Sequence, residues 1–219
     1  MSSFQKFLQE LVATGALTFV VAGATIINTV TGGSFGLLGL ALSYGLITLI
    51  MGNAAAHEGG IDMNPAITLA RWGVRRISSG GAIWRIIAQL VGAAVGAWLL
   101  TKIVPGAVDI QHLGTPTLAS FVGTRSALLV EALMTAIIVW AAFGASNKRS
   151  GISTGAAYAV GALFAMPLTG AGLNPARVFG SAFVSGYWIN HWIYWIGPLV
   201  GALAAGYWYK ITAGSDESK

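Results

Sequence analysis

Gly59-Gly60-Ile61-Asp62-Met63-Asn64-Pro65-Ala66 and Thr169-Gly170-Ala171-Gly172-Leu173-Asn174-Pro175-Ala176-Arg177 are the two stretches that decide the fold. In each, a glycine-rich lead-in reaches Asn-Pro-Ala, and the surrounding apolar run (57–72 and 167–184) is too short to cross a bilayer. Asn is a strong helix N-cap, and Pro at the first helical position lacks only an N–H that has no partner there. The pattern therefore predicts, twice, a loop that enters the membrane and a short helix that leaves it. A helix of about ten residues rises about 15 Å, half of a hydrocarbon layer about 30 Å thick. Irregular backbone at that depth survives only where it is buried in protein or lines a watery cavity. Two such segments point to a pore.

The rest of the chain supplies the membrane. Of 219 residues, 55% are hydrophobic and only 9% are Asp, Glu, Lys or Arg, against about 25% charged in soluble proteins. Mean hydropathy is +0.72. No Asp, Glu, Lys or Arg occurs between Glu10 and His57, from Ser150 to Ala176, or from Val178 to Tyr209. Six spans are predicted at about 8–29, 36–54, 82–104, 127–146, 151–168 and 189–209. Lys6, Arg71, Arg75, Arg76, Arg85, Lys148, Arg149, Lys210 and Lys219 then share one side, leaving Lys102 and Arg125 opposite. The positive-inside rule puts that side, and both termini, in the cytoplasm, with the cell membrane as the expected location. Because the basic residues flank apolar spans, the +5 net charge is read as membrane topology and not as a nucleic-acid surface. Met1–Gln9 carries one lysine and no small-residue cleavage site, so no removable signal is expected.

The chain reads as one transmembrane channel domain over 1–219, with repeats at about 4–104 and 125–211. Asn64 and Asn174 lie 110 residues apart, and Ala88-Gln-Leu-Val-Gly-Ala93 is echoed by Gly197-Pro-Leu-Val-Gly-Ala202 at an offset of 109. Glu10 has a looser counterpart in Glu131. Three spans per repeat is odd, so the halves are expected to sit inverted across the membrane, their short helices meeting N-terminus to N-terminus. Gly92/Gly96 and Gly197/Gly201, spaced by four, are read as helix-packing positions.

Two Asn-Pro-Ala triplets at equivalent places, with Asn64-Pro-Ala-Ile-Thr-Leu, Thr169-Gly-Ala-Gly-Leu-Asn-Pro-Ala-Arg177 and His191-Trp-Ile-Tyr-Trp-Ile-Gly-Pro198, resemble the aquaporin (major intrinsic protein) family over nearly the whole chain. The resemblance implies an all-α membrane fold of six transmembrane helices plus two re-entrant half-helices with an inverted internal repeat. It also implies a homotetramer with one pore per subunit.

The physical chemistry of the triplets (Asn64, Pro65, Ala66; Asn174, Pro175, Ala176) can be stated directly. Each helix start carries about half a positive charge, so two of them aimed at one point repel cations. Each Asn can cap its helix through oxygen and offer its NH2 to a passing water, turning that water's hydrogens outward and breaking a proton wire. Arg177 lies in a long apolar stretch, where an arginine costs ~2.5 kcal/mol or more unless it faces a polar cavity. Its counterpart three residues past Asn64 is Ile67, so only one half carries the cation. The resemblance completes a selectivity filter around Arg177 with Tyr44, Ala162 and Ala171. Strict water channels of the family usually place histidine where Ala162 stands, and glycerol facilitators carry two large aromatics and an Asp where Val178 stands. The two alanines predict an atypically wide filter on a water-type scaffold.

On the cytoplasmic side, Gly60, Ile61 and Asp62 are expected to line the pore, with Asp62 where many relatives have histidine. Its carboxylate is expected to accept hydrogen bonds from the loop backbone; attracting cations or setting a pH response are the alternatives. Glu10 and Glu131 are expected to brace the re-entrant backbone, which buried polar loops require. His57-Glu58 lacks a second histidine four residues on, so no metal site is read there. No cofactor, nucleotide loop or nucleophile–base pair is visible, and catalysis is not expected. The predicted function is a passive channel for water and small neutral solutes that excludes protons and ions, with lipid as its surroundings. A glycerol, urea or ammonia facilitator is the alternative. An ion-coupled transporter ranks lower, since Asp62 is the sole acid near the pore and has no basic partner in its loop.

Overall fold

The computed structural model describes residues 3–55, 60–145 and 150–213. His57, Glu58, Gly59, Lys148, Arg149 and Lys219 lie outside the described residues. The helices in chain order are α1 Ser3–Val30, α2 Gly36–Ala54, α3 Pro65–Gly73, α4 Ser79–Ile103, the single turn α5 Gln111–Gly114, α6 Thr124–Gly144, α7 Ser150–Thr169, α8 Pro175–Ser185 and α9 Ile193–Thr212. Among the described residues, α1, α2, α4, α6 and α7 are long and apolar enough to cross a membrane, with mean hydropathies of 1.4 to 2.1. The α9 helix is 20 residues long but carries Tyr194, Trp195, Tyr207, Trp208, Tyr209 and Lys210, which make it more polar. It begins at Ile193, later than the expected 189, because Asn190 takes a left-handed conformation (φ 56°) ahead of a turn.

Packing pairs α1 with α4, α6 with α9 and α2 with α7. Glycine makes all three pairings close. A Cβ on Gly92 or Gly96 of α4 would collide with the Leu11 or Gly15 carbonyl of α1. A Cβ on Gly201 of α9 would collide with the Ala132 carbonyl of α6, and one on Gly45 would sit 2.7 Å from Ala159 and the Gly155 carbonyl of α7. Where lipid tails are as apolar as side chains, such close backbone approach is what holds helices together.

The short helices α3 and α8 complete the interior. Both start at Asn-Pro, with the capping asparagine extended (Asn64 φ −152°, Asn174 φ −145°) and its side chain bonded to the helix's free N–H groups. The α3 helix has nine residues and α8 eleven, and each packs against long helices of both halves of the chain. The core around them contains Leu17, Tyr44, Ile67, Ile138, Tyr158 and Leu173, all essentially inaccessible.

Candidate functional site

The two Asn-Pro-Ala segments meet and share hydrogen bonds. Asn64 Oδ1 accepts from Ala66 N at 2.8 Å, and Asn174 Oδ1 accepts from Ala176 N at 3.0 Å and Arg177 N at 3.4 Å. Across the junction, Asn64 Nδ2 donates to the Leu173 carbonyl at 2.9 Å and Asn174 Nδ2 to the Met63 carbonyl at 2.7 Å. Those carbonyls are presented by left-handed residues, Met63 at φ 55° and Leu173 at φ 53°. A non-glycine residue in that region costs roughly 1–2 kcal/mol, and here two buried carboxylates hold the turns. Glu10 accepts from Asp62 N at 2.9 Å and Met63 N at 2.8 Å. Glu131 accepts from Gly172 N at 2.9 Å, Leu173 N at 2.6 Å and the Thr169 hydroxyl at 2.6 Å.

The amides are not equivalent. Asn174 gives one N–H to protein, whereas Asn64 gives a second to the Tyr158 hydroxyl at 2.6 Å. The expectation that both asparagines offer an N–H to one passing water is corrected at Asn64, because an aromatic residue of α7 reaches that position first. Tyr158 also stacks on Tyr44, ring centroids 4.7 Å apart and planes 21° apart.

Tyr44, Ala162, Ala171 and Arg177 are all buried. Tyr44 Oη donates to the Gly172 carbonyl at 3.0 Å, next to Ala171. Arg177 Nη2 donates to the Gly114 carbonyl at 2.8 Å, while its Nε and Nη1 have no hydrogen-bond partner among the described residues. The Gly114 carbonyl is aimed by α5, whose four residues are wound left-handed (φ 50°, 49°, 58° and 64° from Gln111 to Gly114). Gly114 is required there, since a Cβ would lie 2.8 Å from Ala22. Burial lowers the pKa of His191 below the ordinary 6.5. Its Nε2 accepts from Trp195 Nε1 at 3.0 Å.

At the other end, Ile61 and Asp62 border a small cavity of about 20 Å3 with Thr48, Ile67, Arg71 and Thr154. Gly60 supplies the left-handed bend (φ 75°) that leads into it. Among the described residues, and against expectation, no backbone N–H donates to the Asp62 carboxylate. Glu10 takes the loop N–H groups, and Asp62 pairs with Arg71 Nε at 2.8 Å and Arg85 Nη1 at 2.9 Å and accepts from the Thr68 hydroxyl at 2.9 Å. Gln89 closes the cluster, donating to Glu10 at 3.0 Å and Thr68 at 2.9 Å, and Arg85 approaches Glu10 at 3.4 Å. Arg85, Gln89 and Tyr158 were not singled out as site residues from the sequence. For Tyr158 a signal existed: it stands sixteen residues before Asn174, and sixteen before Asn64 stands Thr48.

Against known proteins, the family described as "Major intrinsic protein" matches residues 1–209. The chain is 36% identical over 204 residues to the lens fiber major intrinsic protein of Gallus gallus, covering 90% of this chain and 78% of that one. It is 30% identical to aquaporin A of Dictyostelium discoideum over 96% of its own length and 79% of the other. To aquaporin-4 of Bos taurus it is 38% identical over 178 residues, 78% of this chain and 55% of the relative, so it spans little more than half of that relative's length. The X-ray structure of the aquaglyceroporin from Plasmodium falciparum has the same fold, at a TM-score of 0.87 over 97% of both chains and 22% identity.

Proposed function

We propose that this chain, which belongs to the major intrinsic protein family, is a passive membrane channel that conducts water and small uncharged solutes while excluding protons and ions. The observation that carries the reading is the junction of the two half-helices: two capped helix starts, each asparagine bonded to the opposite segment's carbonyl. Two positive helix ends at one point oppose cation passage, and the remaining amide N–H of Asn174 orients a passing water so that a proton wire is interrupted. The names of the relatives, aquaporin-4 and aquaporin A, support water as the conducted species.

The finer reading assigns Tyr44, Ala162, Ala171 and Arg177 to the outer selectivity filter. Arg177 keeps Nε and Nη1 for the solute, and alanines at 162 and 171 make this ring wider than one containing histidine. The two halves are inverted repeats, both termini face the cytoplasm, and the channel is a homotetramer in the cell membrane. Gly60, Ile61 and Asp62 form the inner mouth. Stopped-flow light scattering on proteoliposomes tests the function. Water-driven shrinkage is expected to be fast with a low Arrhenius slope and no accompanying proton leak. Shrinkage no faster than in empty liposomes would refute the pore, and a steep slope would indicate a carrier.

A further inference from the structure

We propose that Tyr158 is the specificity-determining residue of this channel: with Tyr44 it moves the narrowest point one helical turn inward from Ala162 to the level of Asn64, so that water and ammonia-sized solutes pass and glycerol is excluded. The inference rests on the pore reading above and narrows its solutes to one class.

Tyr158 precedes Ala162 by four residues on α7, one turn, about 6 Å along the helix axis. Side chains four apart share a helix face, so a phenol ring stands one turn from Ala162 on the side of Asn64. That ring is fully buried and cannot swing aside, because both ends of the tyrosine pair are fastened. The Tyr158 hydroxyl accepts from Asn64 Nδ2, the Tyr44 hydroxyl donates to the Gly172 carbonyl, and the rings lie against each other. The corresponding place in the first half holds Thr48, whose hydroxyl turns back to the Tyr44 carbonyl. The aromatic wall thus stands on one side only, and it stands beside the capping asparagine.

Chemistry acts in the same direction as size. A solute at the junction sheds its hydration and must replace those hydrogen bonds from the wall. Asn64 has none left to give, since Leu173 and Tyr158 take both N–H groups. With Asn64 as donor, the Tyr158 oxygen is an acceptor and its own proton points away, leaving that O–H and one N–H of Asn174 as the donors at this level. A single water can be served by such a pair. A three-carbon polyol, with a hydroxyl on each carbon, is left with unmet bonds and too little width.

The test measures water and glycerol permeability of wild type, Tyr158→Val and Tyr158→Phe in proteoliposomes. Wild type is expected to pass water and reject glycerol. Tyr158→Val is expected to raise the glycerol-to-water permeability ratio by about tenfold or more. Tyr158→Phe keeps the ring and is expected to shift that ratio far less. A Tyr158→Val channel that conducts water with an unchanged ratio overturns the proposal, as does wild type that passes glycerol readily; both leave the water pore standing. Wild type that conducts no water sinks the pore reading instead. Should Tyr158→Val fail to fold, Tyr158→Leu, which fills more of the helix contact, carries the same expectation and the same overturning result.

Discussion

Asp62 is 2% exposed and answers two guanidiniums, from Arg71 on α3 and Arg85 on α4. Removing one partner of a buried ion pair typically costs about 3–5 kcal/mol, since the remaining charge is stranded. Asp62→Ala is accordingly expected to lower the thermal midpoint of the detergent-solubilised protein sharply, and Asp62→Asn, which keeps an acceptor for Thr68, to lower it less. Equal midpoints for wild type and Asp62→Ala would refute the role. Asparagine caps and the proline after them are local devices, so the starts of α3 and α8 were legible as letters. The partners of Asp62 were not, because Arg85 lies 23 residues away in sequence and meets it only through tertiary packing. Tyr158 was hidden for the opposite reason: an aromatic in an apolar span looks like core until its hydroxyl is seen on Asn64.

Between helices, contact is set by what is missing from glycine. Gly201 of α9 faces the Ala132 carbonyl, and no rotamer change can relieve a clash between a Cβ and backbone. Gly201→Ala is expected to destabilise the protein by about 1–3 kcal/mol, the usual range for overpacking, whereas Gly80→Ala, whose Cβ would meet nothing, is expected to be neutral or mildly stabilising. Thermal unfolding of the pair in one detergent checks both, and similar midpoints would refute the packing argument. The four-residue glycine spacing on α4 and α9 was readable in advance. The α2–α7 contact, built on Gly45, Gly52, Gly151 and Gly155, was not singled out, although Gly151 and Gly155 carry the same four-residue spacing on α7.

The whole molecule turns an apolar surface outward in every helix pair: Leu38 and Ile50 on α2, Trp84 and Trp98 on α4, Leu129 on α6, Phe164 on α7 and Ile211 on α9 are all well exposed. Such a surface suits lipid and neighbouring subunits alike. The homotetramer proposed above predicts a particle of four 22.6 kDa chains, read by native mass spectrometry in a mild detergent. A monomer under conditions that preserve water flux would refute the assembly and leave the pore intact.

The crossed bonds between Asn64 and Leu173 and between Asn174 and Met63 also have a consequence in time. A ribosome that has released only the first four helices has delivered Asn64 without the carbonyl and hydroxyl its amide requires. The first re-entrant segment is then a buried polar loop awaiting a mate more than a hundred residues downstream. Maturation must therefore end with both loops settling together, and a chain cut anywhere before Leu173 is left with an unfinished centre however well its spanning helices insert.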